Sequence, residues 1–281
     1  MHLQWFFANL PLAYATALAW ALLAFATSFV VKRHAIIDVF WGSGFLVVLL
    51  ESLFASHLHG GMNHETMHIS NSSVSHWVHL GLLIAVALWS LRLSLYLALR
   101  QRGTGEDTRY VAILKNAKGK SDTTKALKII YFTQGTLLFL VSIPLQFVAF
   151  AYRVSVPALT IIGLALALVG FLFEAIGDDQ LRRFIANPAN HGTTMNRGLW
   201  KYTRHPNYFG EAVLWTGYYL VACSVPWGFL TIGSSLLMIY LVTSLSGKPM
   251  LERKLSKTRE GYAEYIATTS SFIPRPPKKL H

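Results

Sequence analysis

The feature that most constrains this chain is an alternation of apolar runs about as long as a bilayer is thick with short connections in which the cations collect. Roughly 20 apolar residues carry a helix across the hydrocarbon core. Runs of that length extend from Phe7 to Val31, Ile36 to His57, Trp77 to Leu99, Tyr131 to Tyr152, Val156 to Gly177, Pro206 to Val225 and Trp227 to Ser246. With 53% hydrophobic and only 14% charged residues and a mean hydropathy of +0.41, the chain is too apolar for a soluble domain. The expectation is an all-α fold, a polytopic integral membrane bundle of about seven transmembrane helices. The first run has no basic residue before it and is too long for the core of a signal peptide, so it is read as a retained helix.

A net charge of +12 would suit nucleic acid, but its distribution points elsewhere. Lys32 and Arg33 follow the first run, a block from Arg100 to Lys128 follows the third, Arg182 to Arg204 follow the fifth, and the tail from Lys248 to Lys279 is basic. Of the opposite connections, those after the second and sixth runs hold no Lys or Arg, and the one after the fourth holds Arg153. That asymmetry is the positive-inside pattern, and it predicts an N-terminus outside and a C-terminus in the cytoplasm. Topology and attraction to anionic lipid absorb most of the charge. No nucleic acid and no obligate protein partner is implied.

Cys223 is the single cysteine, which excludes an internal disulfide and a cysteine-rich metal site. The outer connection carries His57, His59, His64, His68 and His76, whose spacing fits no defined metal geometry, so no metal site is expected. Asn71-Ser72-Ser73 matches a glycosylation acceptor that is common by chance. There is no long linker and no internal repeat, so residues 1–281 are read as one membrane domain.

Ionisable groups inside apolar runs cost at least ~2.5 kcal/mol each to insert and are functional candidates by default. Here they are Asp38 and Glu51 in the second run, Arg92 in the third, Glu174, Asp178 and Asp179 at the end of the fifth, and Glu211 in the sixth. Glu174, Asp178 and Arg182 stand at i, i+4 and i+8, which puts them on one helix face as an acid–base ladder. A donor-rich stretch, Arg197 to Glu211, follows. Pro206 suits the first turn of a helix, so Asn207 and Glu211 share a face of the next one. Arg197, Lys201, Arg204 and His205 supply cations beside that helix start, an arrangement suited to phosphate.

From Glu174 to Trp215 the chain resembles the steroid 5-alpha-reductase C-terminal-domain superfamily, in particular a bacterial branch of reductase-like integral membrane proteins. The resemblance is carried by the Asp178 to Arg182 segment, Asn187-Pro188, Gly198-Leu199-Trp200, Tyr202-Thr203-Arg204-His205-Pro206-Asn207-Tyr208, Gly210-Glu211 and Trp215. Asp38-Val39-Phe40-Trp41-Gly42, Arg92, Tyr96, Tyr262 and Phe272-Ile273-Pro274 extend it. It implies a seven-helix bundle, with a cofactor-binding core at about 131–281, that holds NADPH on its cytoplasmic side and reduces a carbon–carbon double bond of a lipid-like substrate such as a steroid or other enone. The cofactor positions it implies are Glu174, Asp178, Arg182, Tyr202, Arg204, His205, Asn207 and Glu211. The branch implies a bacterial inner membrane.

The substrate half departs from that pattern. Steroid reductases place a Gln-Glu pair in the second helix and a Tyr in the third; here the second run reads Ile37-Asp38-Val39-Phe40-Trp41, and Trp89 falls where the Tyr would be. Asp38 or Tyr96 is the candidate catalytic acid, and Trp41, Trp89 and Trp215 are candidates for a substrate pocket. Arg109, in Glu106-Asp107-Thr108-Arg109-Tyr110, is read either as a phosphate ligand or as part of a solvated charge cluster. Two other readings remain. Methyltransferases that use S-adenosylmethionine on membrane thiols or phospholipid amines share an Arg-His-Pro-x-Tyr-x-Gly segment, present here as Arg204 to Gly210, and tend to carry a tail Glu-Glu pair and Tyr-x-x-Tyr; here Glu252 stands alone beside Tyr262 and Tyr265. A transporter would draw on Asp38, Glu51 and Arg92, although pairing Arg92 with Asp38 accounts for both structurally.

Overall fold

The computed structural model describes residues 3–61, 72–115, 122–245, 252 and 259–278. His64, His68, Asn71, Lys118, Lys120, Lys248, Arg253, Lys254, Lys257 and Lys279 lie outside the described residues. Among the described residues all regular structure is helical. Five helices are long and apolar enough to cross a membrane: α1 (Leu3–Val31), α2 (Ile36–His59), α3 (His76–Arg100), α5 (Thr123–Ala149) and α6 (Pro157–Ala186). The protein is an integral membrane protein. Between α3 and α5 lies the short α4 (Thr108–Lys115); α7 (Pro206–Cys223), α8 (Gly228–Ser244) and α9 (Tyr262–Thr268) complete the chain. The sixth and seventh apolar runs correspond to α7 and α8, which are not among the five; α7 gives up hydropathy to Asn207, Glu211 and its tyrosines.

The chain divides into two compact units, residues 1–160 with 221–234, and residues 161–220 with 235–281. Helix α5, assigned from sequence to the cofactor-binding core, packs in the first unit against α1 and α2. Helices α1 and α2 pack together, as do α2 and α3. Pro144 inside α5 has no N–H to give the carbonyl of Leu140, and that carbonyl accepts instead from Ser234 Oγ at 2.7 Å. At its other end α5 winds as a π-helix over Ala126–Phe132, where Ala126, Ile130 and Tyr131 join Ala21, Ala24, Ala35, Ile37 and Tyr110 in one buried apolar cluster.

The second unit is organised by contact between α6 and α7. Gly163, Gly170 and Gly177 recur every seven residues along α6, and Gly210 and Gly217 do so along α7. A Cβ on Gly170 would lie 2.5 Å from the carbonyl of Gly210, one on Gly210 would lie 2.5 Å from the backbone nitrogen of Glu174, and one on Gly217 would lie 2.5 Å from the carbonyl of Gly163. Two antiparallel backbones therefore touch, as small residues permit where lipid offers no hydrophobic drive to associate. This contact brings the polar residues of the two helices to a common level.

Candidate functional site

At the α6–α7 contact four polar side chains gather. Glu174 and Asp178 are one turn apart on α6 and are 3% and 2% exposed. Opposite them Asn207 Nδ2 donates to Asp178 Oδ1 at 3.4 Å, and the Glu211 carboxyl lies within electrostatic reach of both Glu174 and Asp178. One α7 face continues from Asn207 and Glu211 to Tyr218, which is buried, near Glu174, and edge-on to Trp215 with ring centroids 5.4 Å apart. Four of the sequence-predicted cofactor residues are thus brought together, and the group is rich in acceptors.

The predicted ladder does not run through. Arg182 pairs at 2.6 Å with Asp179, not with Asp178, and Arg183 pairs with the same carboxylate at 2.7 Å. Both arginines are exposed, as are Arg197, Lys201 and Tyr202 in the connection from α6 to α7. The turn that carries them is docked to α6: Trp200 Nε1 donates to the carbonyl of Gly177 at 2.9 Å, and Gln180 Oε1 accepts from Leu199 N at 2.9 Å. Gly198 adopts φ +58 with Gln180 against it, a place and conformation that a side chain would not tolerate.

Arg204 and His205, expected on ribose and phosphate, have other work. Arg204 is buried; its Nε and Nη2 bind Glu252 at 2.9 and 3.3 Å, and its Nη1 donates to the carbonyls of Ile266 and Thr269 at 3.0 and 2.8 Å. His205 Nε2 lies 2.9 Å from the same Glu252 carboxylate. The main chain repeats the pattern, with Arg204 N bonded to Ser270 O and Arg275 N to Tyr202 O, while Thr203 Oγ1 donates to Phe272 O and Tyr265 Oη to Trp200 O. These groups pin the C-terminal segment to residues 200–205, and a guanidinium so engaged is not set out for phosphate. Burial acts to push the Glu252 carboxyl up, but the bonds from His205 and Arg204 outweigh it and hold it down at about 2. Glu252 was legible in sequence only as a lone tail acid; its partners are 47 and 48 residues away.

In the first unit Asp38 accepts from Arg109 Nη2 at 2.7 Å and from Tyr110 Oη at 2.5 Å. Arg109 also binds Asp107 through Nε and Nη2. Burial, then the Asp38 carboxylate, hold the Tyr110 phenol well above its ordinary range, so Tyr110 is the donor of that bond. Of the two readings of Arg109, the structure shows the charge cluster, partly solvated, and makes it the clasp that joins α4 to α2. Nor does Arg92 pair with Asp38; its guanidinium lies over the Tyr96 ring, 5.2 Å from the centroid. Asp38 is engaged by a guanidinium and a phenol in this clasp, and Tyr96, the other candidate acid, stands apart from it beneath Arg92. The same loop holds the start of α2, where Glu106 accepts from the backbone of His34 and Ala35, and Arg33 donates to the carbonyls of Gln101 and Thr104.

The candidate pocket tryptophans separate. Trp41 is half-buried, meets Phe45 edge-on at 5.2 Å and lines a crevice with Trp20, Phe40 and Leu138. Trp89 and Trp215 are both 0% exposed and pack as core side chains, Trp89 against Phe45 and Trp215 against Tyr218.

The family model described as "Protein of unknown function (DUF1295)" matches residues 24–269. The chain belongs to that family. The matched DUF1295 region takes in Asp38, the Arg109 clasp, the α6–α7 cluster and Glu252, and stops within the C-terminal segment that Arg204 holds. No curated protein and no solved structure matches the chain.

Proposed function

We propose that this protein is an NADPH-dependent membrane reductase that saturates a carbon–carbon double bond of a lipid-like substrate, as its resemblance to the steroid 5-alpha-reductase superfamily implies. In that reading the bundle has seven spans, with its N-terminus outside and its C-terminus in the cytoplasm of a bacterial inner membrane. The observation that carries it is the gathering of buried Glu174 and Asp178 with half-buried Glu211 and Asn207, the last bonded to Asp178. Carboxyls and an amide gathered at membrane depth are functional candidates by default, and the hydroxyls of ribose and the carboxamide of nicotinamide are groups that such side chains recognise.

The residues present fit a dinucleotide phosphate. Glu174, Asp178, Asn207 and Glu211 would orient its hydroxyl and amide groups. Exposed Arg182, Arg197 and Lys201, with the Tyr202 ring, stand on the aqueous side for its phosphates and base, a place where Arg204 and His205 do not serve. Bound there, NADPH supplies a hydride, and a proton completes reduction of the alkene. The chain's part is to position the cofactor and to polarise a substrate carbonyl as charge develops on it.

A second reading is favoured by one contact. The Arg204-His205 motif, shared with membrane methyltransferases, directly meets Glu252, which stands alone in the tail where those enzymes tend to carry a Glu-Glu pair. Calorimetric titration of the purified protein with NADPH and with S-adenosylmethionine separates the readings. Saturable NADPH binding that Asn207→Ala weakens is the expected result. Binding of S-adenosylmethionine alone would replace the reductase by the methyltransferase.

A further inference from the structure

The charged knot around Glu252 does not belong to the acceptor group, yet it ends on the residue from which α7 starts. The carbonyl of His205 accepts from Phe209 N at 3.0 Å, the first main-chain bond of that helix. Its imidazole lies parallel to the Tyr208 ring, with centroids 5.3 Å apart and planes 7° from each other. On the other side of the imidazole, Nε2 reaches Glu252 Oε1 at 2.9 Å, and that oxygen also accepts Arg204 Nε at 2.9 Å. His205 is 2% and Arg204 9% exposed, so both meet Glu252 away from water, where charge-assisted bonds are strong and directional.

Less than one turn of helix separates this knot from Asn207. Asn207, two residues beyond His205, reaches Asp178 at 3.4 Å, close to the limit at which a hydrogen bond is still made. Asn207 Oδ1 accepts from Tyr208 N at 3.0 Å, which ties the amide to the first turn, and that turn lies against Gly177 of α6 on one side and leaves from His205 on the other. A few degrees of rotation there would carry its amide out of range of Asp178, because a helix moves as a rigid rod.

We propose that Glu252 is a positioning residue of the dinucleotide site: by gripping His205 and Arg204 it sets the first turn of α7 so that Asn207 meets Asp178. The proposal rests on the reading of the α6–α7 group as that site. It assigns the tail acid a role in ligand affinity, beyond holding the C-terminal segment. Its counterpart for comparison is Tyr265, which bonds the same segment to the carbonyl of Trp200 at 2.6 Å without touching His205.

The test is calorimetric titration of NADPH into the detergent-purified full chain, as wild type, Glu252→Gln, Glu252→Asp and Tyr265→Phe, with thermal melting of each. Glu252→Gln is expected to weaken binding at least tenfold and Glu252→Asp three- to tenfold. Tyr265→Phe should lower the melting temperature and yet bind within twofold of wild type. Should Glu252→Gln fail to fold, Glu252→Asp carries the comparison alone. Wild-type affinity in both Glu252 variants would overturn the proposal and leave the site reading standing, and so would a loss in Tyr265→Phe as large as that in Glu252→Gln. A wild type that takes no NADPH overturns the site reading itself and this proposal with it.

Discussion

Asp38 with Arg109 and Tyr110 in the first unit, and Glu174 with Asp178, Asn207 and Glu211 in the second, are both groups of ionisable residues that an apolar chain should avoid, but they are built on opposite plans. The first is a closed circuit. A carboxylate meets a guanidinium and a phenol, the guanidinium is shared with Asp107, and the result ties α4 to the start of α2. The second gathers three carboxyls and one amide where two glycine-lined helices touch. The difference teaches that the kinds of side chain brought together, not the mere presence of charge at membrane depth, separate a structural clasp from a candidate ligand site. The Arg204–Glu252–His205 knot follows the first plan, although it lies beside the second group in sequence.

The comparison breaks most severely if the helix contact is wedged apart. Gly210→Ala would set a Cβ 2.5 Å from the Glu174 backbone nitrogen, and neither backbone has a flexible end to yield. We expect a loss of ~3 kcal/mol, read as a large fall in melting temperature in detergent and loss of NADPH binding together. Unchanged melting would mean that the two helices are not in backbone contact.

Next in size is the closed circuit. Asp38→Asn removes a carboxylate whose pair is partly solvated, its side chain 22% and that of Arg109 37% exposed, so the cost should lie between that of exposed and buried pairs, about 1–2 kcal/mol. Adding Arg109→Gln should cost less than the sum of the single changes, since the partner no longer needs a charge. NADPH affinity in Asp38→Asn should match wild type. A change in affinity without a change in melting would move Asp38 from clasp to ligand site.

The carboxyl–amide group should show the reverse. Asn207→Ala and Glu211→Gln are expected to melt near wild type while NADPH binds at least tenfold more weakly, about 1.4 kcal/mol. Loss of stability with no loss of affinity would show that this group, too, is only structural.

The smallest effect concerns acid. The Glu252 carboxyl is held at about 2, below its ordinary 4.5, so the stability it lends the C-terminal segment is full above pH 4.5 and is lost as pH falls from there through about 2. Cleavage of that segment by an acid-active protease should rise across that window in wild type. Glu252→Gln should be cleaved readily throughout, with the rise removed.

Much of the fold was legible in the sequence because bilayer thickness sets a length scale and apolar runs report it directly. α1, α2, α3, α5 and α6 stand where the first five runs were expected. The polar partners of the site were legible for a related reason: helical periodicity puts Glu174 with Asp178 and Asn207 with Glu211, and Pro206 marks the start of α7. The partners of two cations were not legible, because a basic residue near a helix start serves a phosphate or a carboxylate equally well in one dimension. Arg109 and Arg204 chose carboxylates 71 and 48 residues away. Glu252 had no local pattern to reveal it.

By itself, then, the sequence determined that this protein lies in a membrane as helices and which residues of each helix share a face, since hydropathy and a 3.6-residue period are local properties. Only the tertiary structure decided which charges are spent on each other. That choice depends on distances between residues far apart in the chain, on how closely Gly170 and Gly210 let two backbones approach, and on which carboxylate a guanidinium reaches first.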